Sequence, residues 1–103
     1  GGAIATATHG SSGHTGTLSS FVLEIELIDA NGKFHSITPE TNAHLFSAAV
    51  VNLGCLGIIY SITLKCISLS KLNIRKERTT VASVQMQLKE HLVSNDYFQM
   101  TVD

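Results

Sequence analysis

Between Phe21 and Ile28, apolar side chains alternate with Glu24 and Glu26, which is the period of a strand with one dry face and one wet face. Asp29-Ala30-Asn31-Gly32 supplies turn chemistry, and Lys33-Phe34-His35-Ser36-Ile37 returns, so the pattern predicts a hairpin with Glu24 and Glu26 on its solvated side. Pro39 cannot donate to a ladder and closes that strand. Thr41 or Asn42 can cap a helix over residues 43–53, where Leu45, Phe46, Ala49, Val50 and Leu53 share one stripe. Gly54 stands where helices commonly end in a left-handed residue. After it, Leu56 to Ile67 read as a long, β-branched strand buried at its start.

The flanks are patterned more weakly. Residues 2–8 alternate around Ile4, their one large apolar side chain, and suggest a short strand feeding a loop at 9–17. Leu72 to Thr79 alternates as a charged strand, and Val81, Val84, Leu88 and Leu92 mark an amphipathic helix that covers a sheet. Tyr97 to Val102 opens a further strand. Those last elements are too few to cover a sheet of their own, so an α+β piece of a longer protein is the expectation.

With 44% hydrophobic and 15% charged residues in 103, the chain has the balance of a folded domain. A formal net charge of −1, and a basic stretch from Lys71 to Arg78 that is short and interrupted, give no reason to expect nucleic acid or an anionic membrane as partner. No apolar run reaches the ~20 residues of a membrane span, and the first residues lack the basic start and apolar core of a secretory signal. Cys55 and Cys66 read as reduced, packed thiols. The five histidines carry no metal-ligand spacing, so no metal is expected.

Candidate chemistry concentrates in Gly1 to Gly16, where small and hydroxyl-bearing residues leave the backbone bare. Glycines there permit positive-φ turns, and main-chain N–H groups together with Thr and Ser hydroxyls can contact a polar ligand. Gly10, Gly13 and Gly16 recur every third residue, yet the loop leads into a hairpin rather than a helix, unlike a Rossmann fingerprint. No Gly-Lys-Ser/Thr occurs, which excludes a P-loop. A non-Rossmann nucleotide site and a structural glycine turn remain.

Ala5-Thr6-Ala7-Thr8-His9-Gly10-Ser11-Ser12, the Asn31-Gly32 hairpin and Leu53-Gly54-Cys55-Leu56-Gly57-Ile58-Ile59 follow one another in an order that resembles the vanillyl-alcohol-oxidase-type, or PCMH-type, FAD-binding flavoenzymes. Within that family the chain is most similar to the sugar-1,4-lactone oxidases, with alditol oxidases next. The resemblance is strong over residues 1–68 and weak over 69–103. It implies an α+β fold in which residues 1–68 are the C-terminal part of the FAD-binding domain, its second subdomain of strands, hairpin and covering helix. Residues 69–103 would be the first β-α-β elements of an incomplete substrate domain.

The resemblance further implies that Gly2 and the run Thr6, Ala7, Thr8, His9, Gly10, Ser11 and Ser12 lie along FAD, and that Gly57, Ile58 and Ile59 offer backbone near its nucleotide. Thr6, Thr8, Ser11 and Ser12 suit phosphate, ribityl or ring oxygens, Gly57 allows close backbone approach, and His14 faces solvent. The parent would oxidise a CH–OH group of a sugar lactone, or of a polyol in the alditol-oxidase alternative, with oxygen or another acceptor. The family's N-terminal flavin subdomain, with its Gly-Ser-Gly-His-type loop, is missing here. The substrate domain is only begun, so no residue of this chain is assigned as catalytic and the chain alone is expected to be inert and to hold FAD weakly or not at all. Tyr60 and Tyr97 read as packing residues. The rival from another class is a non-catalytic domain that pairs through an exposed sheet edge.

Overall fold

The computed structural model describes residues 1–102. Along the chain lie α1 (Gly2–Ala5), a 3-10 turn (Leu18–Phe21), β1 (Val22–Ile28), β2 (Phe34–Ile37), α2 (Pro39–Val50), β3 (Ile58–Leu64) and α3 (Val81–Ser94). They fall into two compact units. Gly1–His9 with Gly16–Cys66 makes the first, and Gly10–Thr15 with the chain from Ile67 onward makes the second.

The first unit is built on a three-stranded antiparallel sheet of order β2-β1-β3. Ile25 stands opposite Ile37 on one side and Ile62 on the other, so the dry face of the hairpin continues onto β3. Two bulges adjust that face. Val22 is opposite Leu64 but Glu24 is opposite Thr63, leaving Leu23 as the extra residue of β1, and Tyr60 is the extra residue of β3 between Ser61 and Ile59. Val22 and Ile25 thereby reach the same core although three positions separate them. Ile4, Val22, Ile25, Leu27, Ile37 and Ala49 form that core, with Leu45, Phe46, Val50, Ile59 and Ile62 packed on it. Complete burial of Ile25 is worth about 2–3 kcal/mol of transfer free energy.

The hairpin turns where its composition says it should. Asp29 Oδ1 accepts from the backbone N–H groups of Asn31 and Lys33 at 2.8 and 3.0 Å, and Gly32 adopts φ +76°. Glu24 and Glu26 lie on the outer face as expected, but they are half-buried and engaged. Ser36 Oγ donates to Glu24 at 2.7 Å, and Ser61 Oγ donates to Glu26.

Helix α2 starts at Pro39, four residues before the start expected at residue 43. Thr38 caps it, accepting from Thr41 N at 3.2 Å while Thr41 Oγ1 accepts from Thr38 N at 2.9 Å, and Pro39 occupies the first turn. Asn42 then departs from helical geometry (φ −160°, ψ 90°) and its Oδ1 accepts from Leu45 N at 2.9 Å. A second cap therefore sits within the element, at a position the sequence had suggested, and the helix ends at Val50 rather than at Leu53.

Five expectations are corrected. Residues 2–5 are a single helical turn, not a strand, because Gly-Ala-Ile-Ala turns Ile4 and Ala5 into the core and lets Ile4 O accept from Ser19 Oγ at 2.7 Å. Strand β3 ends at Leu64, and its first residue Ile58 is 73% exposed on the outer face, so its start is not buried. Residues 72–79 and 97–102 form no strand, since alternation makes a strand only where a partner completes the ladder. Cys55 and Cys66 are free thiols but exposed rather than packed. Tyr60 and Tyr97 are 71% and 51% exposed, and Tyr60 meets Phe34 edge-on with ring centres 6.0 Å apart.

In the second unit, Thr80 caps α3 by accepting from Ser83 N at 3.2 Å, and Val84 is its buried residue. Val81, Leu88 and Leu92 of the predicted stripe are exposed. His91 stacks on Phe98 with ring centres 5.2 Å apart, and Arg75 pairs with Glu77. Among the described residues no helix is long and apolar enough to cross a membrane.

Candidate functional site

The first unit contains a cavity of about 370 Å³ lined by Gly1, Gly2, Ala5, Thr6, Asn52, Leu53, Gly54, Gly57 and Ile59. Its size falls in the ~300–1,000 Å³ range of small-molecule sites. Two stretches distant in sequence make its walls, α1 with Thr6 on one side and the turn from α2 into β3 on the other. Leu53 N donates to Ala5 O at 3.3 Å and ties them together.

Local chemistry holds each wall. Thr6 Oγ1 donates to Gly2 O at 2.9 Å and lies 3.5 Å from Thr8 Oγ1. Ala7 turns the chain at φ +54°, and Leu18 N then donates to Thr8 O at 2.8 Å. On the opposite wall Leu53 and Gly54 are consecutive left-handed residues at φ +52° and +80°. No lining side chain carries a charge. A Cβ built on Gly1, Gly2 or Gly54 would meet no protein atom within 4 Å, so these glycines leave open space in front of their backbone.

Gly57 differs. At φ +143°, a Cβ there would lie 2.2 Å from Ile28 O and 3.1 Å from Asp29 Cα, so its glycine identity is required by the close pass of β1. The missing side chain faces the protein, so packing against β1 accounts for the glycine. The glycine loop is corrected. Gly10, Gly13 and Gly16 are not among the positive-φ glycines, and the positive φ of this region belongs to Ala7.

Of the residues singled out from sequence, Gly2, Thr6, Gly57 and Ile59 line the cavity. Ala7, Thr8 and His9 belong to the same unit but not to the lining, and Ile58 turns outward. Gly10, Ser11 and Ser12 belong to the second unit. Ser12 Oγ accepts from His14 N and Thr15 N, both at 3.2 Å, closing a turn, and His14 is exposed as expected. Asn52, Leu53 and Gly54 were not named from sequence as contacts, although Gly54 was expected to be left-handed and is, at φ +80°. A polar residue at the end of an apolar helical stripe followed by glycine was the available signal.

A smaller cavity of about 200 Å³ lies under the hairpin turn, lined by Leu27, Asp29, His35, Ile37, Leu45 and Leu56. His35 Nε2 and Asp29 Oδ2 are 2.8 Å apart. The hydrogen bond from His35, followed by the backbone donation of Lys33 and then Asn31, holds the Asp29 carboxyl below the usual carboxylate range. No group of three or more His, Cys, Asp or Glu side chains gathers among the described residues.

No protein-family profile matches the chain. It is similar to bovine L-gulonolactone oxidase, with 35% identity over 99 residues, which cover 96% of this chain and 22% of that protein. It is similar to the L-gulono-1,4-lactone dehydrogenase of Mycobacterium tuberculosis, with 34% identity over 101 residues, 98% of this chain and 23% of that protein. A putative D-arabinono-1,4-lactone oxidase of Neurospora crassa is 42% identical over 66 residues, 64% of this chain and 12% of its own length. The chain thus spans less than a quarter of the length of these relatives. It is a sugar-lactone-oxidase-like sequence, related along nearly its whole length to oxidases and dehydrogenases of sugar-1,4-lactones.

Proposed function

We propose that this chain is part of an FAD-dependent oxidoreductase whose substrate is a sugar-1,4-lactone, oxidised at a CH–OH carbon, and that residues 1–68 contribute to a PCMH-type FAD-binding domain. Residues 69–103 open its substrate domain. The observation that carries the reading is the cavity itself, because Gly2 and Thr6 on one wall and Gly57 and Ile59 on the other belong to the two segments, Gly2 with Thr6–Ser12 and Gly57–Ile59, that the resemblance sets along the cofactor.

The lining fits one part of the cofactor. Walls of glycine backbone, Ala5 and Ile59 suit a planar, neutral ring, and no lining side chain is a cation that would pair with a pyrophosphate. Gly2 and Gly54 let the ring approach main chain, Thr6 and Ile59 bound it, and Asn52 and Leu53 close one side. Ala7, Thr8, His9, Gly10, Ser11, Ser12 and Ile58 are cofactor contacts on the resemblance alone, which gives the hydroxyls of Thr8 and Ser11 the chemistry to pair with cofactor oxygens. The chemistry supplied by bound FAD is uptake of a hydride from an alcohol carbon, with reoxidation by oxygen or another acceptor. This chain's part is to hold and orient, and it supplies no catalytic base.

The test is a chimera in which this chain replaces the homologous 99-residue stretch of the bovine relative. The expected result is flavin at about one per polypeptide and acceptor reduction that depends on an added aldono-1,4-lactone. With Thr8→Val and Ser11→Ala together, affinity for FAD should fall about tenfold or more, the loss of about 1.4 kcal/mol of hydrogen bonding. A folded chimera without flavin would sink the reading. Turnover of polyols in preference to lactones would replace the lactone by an alditol.

A further inference from the structure

Asn52 is a polar residue 7% exposed, and all of its side-chain hydrogen-bonding groups act on its own neighbourhood. Its Nδ2 donates to Ala49 O at 2.7 Å, satisfying a carbonyl that the end of α2 leaves open. Its Oδ1 accepts from Gly54 N at 2.6 Å, and its backbone carbonyl accepts from Cys55 N at 2.9 Å. Between these anchors lie Leu53 and Gly54 at φ +52° and +80°. A left-handed leucine persists only where its surroundings fix it, and this one is 69% exposed, so packing of its own side chain is not what fixes it.

We propose that Asn52 is a positioning residue for the cavity, holding the Leu53–Gly57 wall in the conformation that leaves the Gly54 backbone open to a bound ring. The side chain donates to the Ala49 carbonyl and accepts from the Gly54 amide, and the accepting oxygen is the group that holds the wall. Asparagine does both at this length, whereas aspartate keeps only the acceptor. The identity of the ring rests on the cofactor reading above; the hold on the wall does not.

Two readouts separate the claims. In the full ¹⁵N-labelled chain, Asn52→Ala should speed hydrogen exchange at the Gly54 amide about tenfold or more while the Ile25 and Leu27 amides stay within about twofold. Asn52→Asp should keep Gly54 protected, and it serves in place of the alanine variant should that not fold. In the chimera, Asn52→Ala should weaken FAD binding about tenfold at an unchanged thermal midpoint, and Asn52→Asp should recover most of the loss. Unchanged exchange at Gly54, or equal loosening of Gly54 and the sheet amides, overturns the proposal, as does a loosened Gly54 with unaltered FAD affinity. If the unsubstituted chimera takes up no FAD, the cofactor reading fails, and Gly54 exchange alone decides whether Asn52 holds the wall.

Discussion

Single residues in this chain do their work through backbone geometry more than through side-chain chemistry. Gly57 at φ +143° has Ile28 O where a Cβ would go, whereas a Cβ on Gly13 would meet nothing within 4 Å. Gly57→Ala should therefore cost about 2 kcal/mol or more, and Gly13→Ala should stay within about 0.5 kcal/mol, as read from urea midpoints at constant slope. Equal costs would remove the close pass as the reason for Gly57. Of the two, only Gly57 was named from sequence as a ligand-approach position, and the packing that fixes it comes from a strand residue 29 positions earlier, which no local pattern reports. Asn52 was marked only by its place after an apolar stripe: its partners Ala49 and Gly54 are near in sequence, but the cavity that Asn52 and Gly54 line has its other wall in α1.

At the scale of elements, the hairpin was legible because period-two alternation and an Asp-Ala-Asn-Gly turn agree with each other. Helix α2 was legible in its second half, where the stripe lies. Its first turn is set by Thr38, Pro39 and Thr41, a cap that carries no hydrophobic signal. The strands expected at 72–79 and 97–102 show the limit of alternation, which reports a face but not a partner. The hairpin also carries the titration most open to test. The carboxyl of Asp29 is held below its ordinary range chiefly by His35, so its contribution is full above the unfolded carboxylate value of about 3.9 and is lost as pH falls through the lower folded value. Asp29→Ala should be less stable than the parent chain by a constant margin from pH 7 down to about 5, and the margin should close below about pH 4. A margin that persists at pH 2 in urea unfolding would assign Asp29 a role other than its charge.

For the whole molecule, the question is what a chain covering 22% of its relatives contributes to them. Four of the eleven residues named from sequence as cofactor contacts, Gly2, Thr6, Gly57 and Ile59, line one cavity without charged side chains, together with Asn52, Leu53 and Gly54, which were not named as contacts. Motif order thus marked four positions that border one cavity, while the rest of the lining depends on a helical turn where a strand was expected. Filling that cavity without disturbing the fold is the most direct test of the account. Gly2 is exposed and a Cβ on it meets no neighbour, so Gly2→Leu should be tolerated by the protein while its side chain takes up space at the cavity wall. The measurement is FAD titration of the chimera with and without Gly2→Leu, followed by flavin fluorescence beside a thermal melt. The account predicts an affinity loss of about tenfold or more at an unchanged melting midpoint; FAD bound equally well by both proteins would contradict the assignment of this cavity to the cofactor.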